Sequence, residues 1–222
     1  GQIRRDSTGS SGNFVGTDVT GSVALGNSGV GIYMFGGASD NVIGGTTPAH
    51  RNIVSGNHGT GVVMDGRVSP VDGNQVMGNF IGTDLTGTFA LPNLNGGLTI
   101  AQGASDNTIG GTISGAGNLI SGNAAFGVVI AHHANEEIPD RTTTRNVVQG
   151  NLIGTDLTGA PRLGNVGHGV YIFNGAIANS IGGTASHAGN LIAGNQRAGV
   201  AVFDAVNFEP LLLGSGADEA FD

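Results

Sequence analysis

Gly78-Asn-Phe-Ile-Gly-Thr-Asp-Leu-Thr-Gly87 decides the reading of this chain, because it occurs three times. It stands earlier as Gly12-Asn-Phe-Val-Gly-Thr-Asp-Val-Thr-Gly21 and later as Gly150-Asn-Leu-Ile-Gly-Thr-Asp-Leu-Thr-Gly159, at offsets of 66 and 72 residues. Two other stretches keep the same offsets. Asn41-Val-Ile-Gly-Gly-Thr46 returns at Asn107 and Asn179, and Asn52-Ile-Val-Ser-Gly-Asn57 returns at Asn118 and Asn190. The sequence is three copies of one long unit, the signature of a repeat architecture.

Each long unit contains two coils. A Gly-apolar-x-apolar segment marks them: Gly31-Ile-Tyr-Met34, Gly61-Val-Val-Met64, Gly97-Leu-Thr-Ile100, Gly127-Val-Val-Ile130, Gly169-Val-Tyr-Ile172 and Gly199-Val-Ala-Val202. In a full coil the marker is followed by two short segments of the form Asn-x-(Ile/Val). One coil therefore carries three short strands separated by glycine-rich corners. Stacked coil on coil, such strands make three parallel sheets around a shared core. Alternation within a strand points Leu98 and Ile100, and their counterparts in the other markers, inward. The recurrent asparagines fall at corners, where amides can stack on amides and satisfy turn backbone groups. Six coils at a spacing of ~4.8 Å make a rod ~30 Å long.

These repeats resemble the right-handed parallel β-helix repeats of bacterial secreted and surface proteins, in the pectate-lyase-like superfamily. The resemblance covers residues 12–203. It implies an all-β, right-handed, single-stranded parallel β-helix of about six coils with three short strands each. It also implies an extracellular or cell-surface location. The superfamily includes polysaccharide lyases, hydrolases, epimerases, adhesins and passive stalks, so the resemblance bears on fold more than on function. We expect residues 1–222 to form a single β-helix domain of a larger protein, with 204–222 as a C-terminal tail or partial cap.

Composition narrows the function classes. With 38% apolar residues, the 43 glycines belong to a folded chain and not to a disordered linker. Absence of cysteine excludes disulfides, thiolate metal sites and a cysteine nucleophile. A net charge of −8 argues against a surface that tracks nucleic-acid phosphates. No apolar run reaches the ~18–20 residues of a membrane span, so no membrane insertion is expected. The opening Gly-Gln-Ile-Arg-Arg-Asp is not a signal peptide.

In enzymes of the superfamily, catalytic residues usually lie on the outward positions of the first sheet and its flanking loops. The marker segments place Tyr33, Val63, Thr99, Val129, Tyr171 and Ala201 in that outward column. None is a carboxylate, histidine or arginine. Glycoside hydrolysis needs two carboxylates, and a lyase or epimerase needs a base and a group to neutralise the uronate. The chain has no lysine for either task. If the chain is an enzyme, the available groups are Asp65, His132, His168 and Arg197, next to the marker segments. Gly167-His168-Gly169 is similar to a polygalacturonase motif, but it occupies a repeat position filled by Gly29-Val-Gly31 and Asn95-Gly-Gly97 elsewhere.

Other features point to binding. Loops after the marker in even coils, 65–72, 132–145 and 204–209, hold seven of the sixteen acidic residues. The unit that is six residues longer owes its length to the second of these. That insertion offers His132, His133, Glu136, Glu137, Asp140, Arg141 and Arg145 as a binding site, with Glu136, Glu137 and Asp140 as possible ligands of a divalent cation such as Ca²⁺. Asp18, Asp84 and Asp156 in the Gly-Thr-Asp loops are too few per loop for calcium and are expected to cap their own turns. The last strand of each coil is apolar on both faces. Phe14, Ile53, Phe80, Leu119, Leu152 and Leu191 form one column, and Val15, Val54, Ile81, Ile120, Ile153 and Ile192 the next. One column must face outward, covered by the long loops or offered for self-association. The sequence therefore reads as a non-enzymatic structural or adhesive module. Its expected partners are copies of itself, neighbouring domains of a larger chain, or a glycan. The rival reading is a polysaccharide-active enzyme.

Overall fold

The computed structural model describes residues 12–132 and 142–203. Among them are seventeen strands, β1 to β17 in chain order, and one short 3-10 turn at Pro48–His50. The strands fall into three sheets in which every neighbouring pair is parallel. Sheet one holds β2 (Ile32–Phe35), β5 (Val62–Asp65), β8 (Leu98–Ala101), β11 (Val128–Ala131), β14 (Val170–Phe173) and β17 (Val200–Val202). Sheet two holds β3 (Val42–Gly44), β6 (Gln75–Met77), β9 (Thr108–Gly110), β12 (Val147–Gln149) and β15 (Ser180–Ile181). Sheet three holds β1 (Phe14–Val15), β4 (Ile53–Val54), β7 (Phe80–Ile81), β10 (Leu119–Ile120), β13 (Leu152–Ile153) and β16 (Leu191–Ile192). The chain visits the sheets in turn and stacks one strand on each per circuit, which is a parallel β-helix.

The strands are two to four residues long, too short to stand alone. They persist because every strand inside a sheet is paired on both sides, with β1, β2, β3, β15, β16 and β17 paired on one, and because inward residues meet those of the other sheets. Ile32, Met34, Val62, Met64, Leu98, Ile100, Val128, Ile130 and Val170 line the core from sheet one, each at most 4% exposed. Ile43, Val76, Ile109 and Val148 line it from sheet two, and Val54, Ile81, Ile120 and Ile153 from sheet three, all fully buried.

Three asparagine columns tie the corners. Asn41, Asn74, Asn107, Asn146 and Asn179 stack in one. Asn13, Asn52, Asn79, Asn118, Asn151 and Asn190 form the second. Asn27, Asn57, Asn93, Asn123, Asn165 and Asn195 form the third. All three columns have one polarity: each Nδ2 donates to the Oδ1 of the asparagine in the following coil. That Oδ1 also accepts a backbone N–H, as Asn79 N–H donates to Asn118 Oδ1 at 3.0 Å. The other Nδ2 hydrogen reaches back to a carbonyl of the preceding coil, as from Asn118 to Val76 O at 2.8 Å. A buried amide with all these bonds made avoids the cost of an unpaired polar group.

Before the first asparagine column the chain turns through left-handed backbone at Asp40, Gly73, Asp106, Arg145 and Ala178, with φ between 54° and 69°. Four of these are not glycine, so the corner stores strain. The asparagine bonds on the next residue hold it in place. Gly44, at φ 94°, is constrained differently: a Cβ there would overlap the Met77 carbonyl oxygen and the Asn79 amide stacked beneath it.

Candidate functional site

Sheet one has two outward columns. Five of the six strands run one residue beyond the marker segments, so Asp65 lies within β5 and not past its end. The first column is Tyr33, Val63, Thr99, Val129, Tyr171 and Ala201. The second is Phe35, Asp65, Ala101, Ala131 and Phe173. Asp65 is the single ionisable acid or base in either column besides the two tyrosines, and it is only 2% exposed.

The Asp65 carboxylate is fully engaged. Tyr33 Oη donates to its Oδ2 at 2.8 Å, Arg67 Nε donates to the same oxygen at 2.7 Å, and Arg67 N–H donates to Oδ1 at 2.9 Å. Burial alone would push the Asp65 carboxyl up, but the Arg67 and Tyr33 hydrogen bonds outweigh it and hold the group below its ordinary value. Burial and the Asp65 hydrogen bond push the Tyr33 phenol up. Such a carboxylate is a poor general acid, because it does not hold a proton near neutral pH.

The other candidate groups do not converge on Asp65. His132 follows β11, two coils on from β5, a separation of ~10 Å at the sheet spacing. Its Nδ1 is buried with no hydrogen-bond partner among the described residues, and burial lowers its pKa. His168 and Arg197 precede β14 and β17 and so lie at the opposite end of the sheet-one strands. These two occupy neighbouring coils. Ala198 N–H donates to His168 Nδ1 at 3.1 Å, which fixes that nitrogen as an acceptor in the neutral ring. Burial first, and then the Arg197 charge, lower the His168 pKa. Asp65, His132, His168 and Arg197 are thus two separated pairs and not one site.

Of the insertion residues, Arg145 is described. It makes a bidentate pair with Asp106 in the coil before, at 2.7 and 2.6 Å. This pair is exposed and spans two left-handed corners. His133, Glu136, Glu137, Asp140 and Arg141 lie outside the described residues. Among the described residues, no three histidines or carboxylates are grouped as metal ligands would be.

The structure gathers aromatic side chains that sequence reading had left scattered. Tyr171 stacks on Phe173 at 4.4 Å and on Phe126 at 5.3 Å, and Phe203 meets it edge-on at 5.5 Å. His168 stacks on Phe126 at 5.9 Å. With Val129, Ala131 and Ala201 these rings form a second apolar cluster outside sheet one, in which Tyr171 is only 8% exposed. At the other end of the sheet, Tyr33 and Phe35 also stack, at 5.4 Å, but are 47% and 41% exposed. The available signal was Tyr-x-Phe, which recurs as Tyr33-Met-Phe35 and Tyr171-Ile-Phe173 and puts both rings on one face of a strand.

The Gly-Thr-Asp loops cap themselves. Asp84 Oδ1 accepts from the N–H groups of Thr88 and Phe89, both at 3.1 Å, and Oδ2 accepts from the Thr86 hydroxyl at 2.7 Å. Asp18 and Asp156 repeat the pattern. Successive loops are bonded to one another, Leu85 N–H to Gly21 O at 3.0 Å and Leu157 N–H to Gly87 O at 3.2 Å. They lie on the outward column of sheet three, with Gly87 against Phe80 and Leu119. Ile53, Phe80 and Leu119 are consequently 3% exposed or less. The Arg51 guanidinium also covers the Phe80 ring at 4.1 Å. The apolar stripe is therefore covered through its middle. Its covering comes from loop backbone, as at Gly87, while Val19 stands 87% exposed.

No family description, curated protein or solved structure matches this chain. The fold is read from the chain itself: a three-sheet parallel β-helix of about six coils.

Proposed function

We propose that this chain is a non-catalytic structural and adhesive β-helix module of a bacterial surface or secreted protein, binding through loops on one face. One observation carries the reading. The outward face of sheet one holds a single carboxylate, Asp65, and that group is neutralised by Arg67 and Tyr33. A broad face whose one carboxylate is already engaged supports loops more readily than it supports proton transfer. The charged even-coil loops, including the insertion between His132 and Arg145, follow the sheet-one strands in sequence, and loops gathered on one face of a solenoid suit binding. An extracellular or cell-surface location rests on the resemblance of the repeats.

The rival, a polysaccharide-active enzyme, draws on the exposed Tyr33 and Phe35 rings beside Arg67, since aromatic faces and a cation suit a sugar acid. A glycan array run beside reducing-sugar and unsaturated-product assays separates the two. The expected result is no turnover on uronans or neutral glycans, with any binding lost when residues 134–143 are shortened to the length of the 65–72 loop. Turnover that disappears in Asp65→Ala or His132→Ala, with the fold intact by circular dichroism, overturns the proposal in favour of the enzyme.

A further inference from the structure

Among the described residues, the last coil leaves the core open. Val200 and Val202 continue the inward column of Val170 and Ile172. Val170 is fully buried and Ile172 is 7% exposed, but Val200 and Val202 are 44% and 69% exposed. In sheet three the inward Ile192 is only partly buried, where its column neighbour Ile153 is fully buried. Backbone donors point the same way. Ile32, Val62, Leu98, Val128 and Val170 each donate forward to a glycine carbonyl of the following coil, as Val170 does to Gly199 O at 2.8 Å. By register, Val200 N–H faces outward with no described coil to receive it. Asn179, Asn190 and Asn195 end the three columns, so their forward amide donors also face this end.

The first coil is closed by comparison. Ile32 and Met34 are 4% and 3% exposed, and Ile43 is fully buried. Head-to-tail stacking of a second copy would require an open core there. Tail-to-tail pairing would set asparagine donors against asparagine donors. Neither arrangement satisfies the open end.

We propose that this open end is a docking face for the chain's own residues 204–222. They follow Phe203 directly, so they start at the face. Nineteen extended residues reach up to ~60 Å, ample to cross three strands of this length. Within them Val206, Phe208, Leu211, Leu212 and Leu213 form a dense apolar run, suited to cover Val200, Val202 and Ile192. Asn207 offers an amide acceptor to the forward donor of Asn179. Asp204 and Glu209 bring negative charge to an end that carries the exposed Arg197.

Hydrogen exchange of the Val200 and Val202 amides tests this in the whole chain, in a chain ending at Phe203, and in Leu211→Ser/Leu212→Ser/Leu213→Ser. The serine variant keeps the full length in case truncation prevents folding. Exchange about ten-fold faster in both variants than in the whole chain, at every protein concentration, is the expected result. Equal exchange in all three chains overturns the proposal. Protection in the whole chain that is lost on dilution also overturns it, because the occupant is then a second copy.

Discussion

Asn118→Ala and Asn190→Ala remove three equivalent hydrogen bonds from two places in one column, and Asn118→Ala also removes the forward bond from its Nδ2 to Asn151 Oδ1 at 2.9 Å. Asn118 is 1% exposed. Its Oδ1 accepts from Asn79 N–H at 3.0 Å and Asn79 Nδ2 at 3.1 Å, and its Nδ2 donates to Val76 O at 2.8 Å. Truncation leaves these three groups inside a dry corner. Each buried unpaired group costs about 1–3 kcal/mol, and with some relief from relaxation we expect a loss of about 4 kcal/mol. Asn190 makes the equivalent bonds to Asn151 N–H, Asn151 Nδ2 and Val148 O, at 3.0, 3.0 and 2.8 Å. It belongs to the last coil, so water can replace the lost amide, and we expect about 1 kcal/mol. Urea denaturation followed by circular dichroism measures both. A shared m value is part of the test, because a solenoid unfolds cooperatively only while its coils remain coupled. Losses within about 0.5 kcal/mol of each other refute the reasoning. They would mean that the columns follow the packing and do not stabilise it.

Other outcomes can be checked on the same material. Gly44→Ala should destabilise severely, since its Cβ would overlap the coil below at positive φ, whereas Gly29→Ala meets open space and should be near neutral by urea midpoint. Phe80→Ala should cost about 3–5 kcal/mol, and Val19→Ala less than about 0.5 kcal/mol, if the loops bury the sheet-three stripe as described. Asp65 has a folded-state pKa below its unfolded value, so its contribution is complete above the unfolded pKa of about 3.9 and is lost as pH falls through the folded value. Asp65→Asn should therefore lower Tm at pH 7 and flatten the remaining fall in Tm on the acid side of about pH 4. An unchanged acid slope would show that this carboxylate is not linked to folding.

The repeat, the three sheets and the core columns were legible because stacking puts like on like. Residues that share a column share a chemistry, so Val62, Leu98, Val128 and Val170 declare the core at a fixed place after each marker glycine. The extra residue at the end of five of the sheet-one strands gave no such signal. Phe35, Asp65, Ala101, Ala131 and Phe173 have nothing in common, since an outward position is not held to one side-chain type by packing. The environment of Asp65 was hidden for the same reason. Tyr33 reaches it from 32 residues away, a contact visible only once register is known. The outer aromatic cluster escaped because Phe126 and Phe203 come from dissimilar places in their coils and join the Tyr-x-Phe strand only in space.

The asparagine columns also explain how the fold admits loops of unequal length. Bonded asparagines are separated by as few as 27 residues, as Asn52 and Asn79 are, and by as many as 42, as Asn123 and Asn165 are. The Nδ2–Oδ1 distances for those pairs are 2.8 and 2.9 Å. Chain length between corners is thus uncoupled from the geometry at the corners. An insertion between two anchored asparagines adds little closure entropy and leaves both ladder contacts intact. The 132–145 insertion enters between Asn107 and Asn146, whose amides remain bonded at 3.0 Å. Sequence variation in such a chain can therefore collect in the loops while the corners stay constant. The loop surface can then change without cost to the rod that carries it.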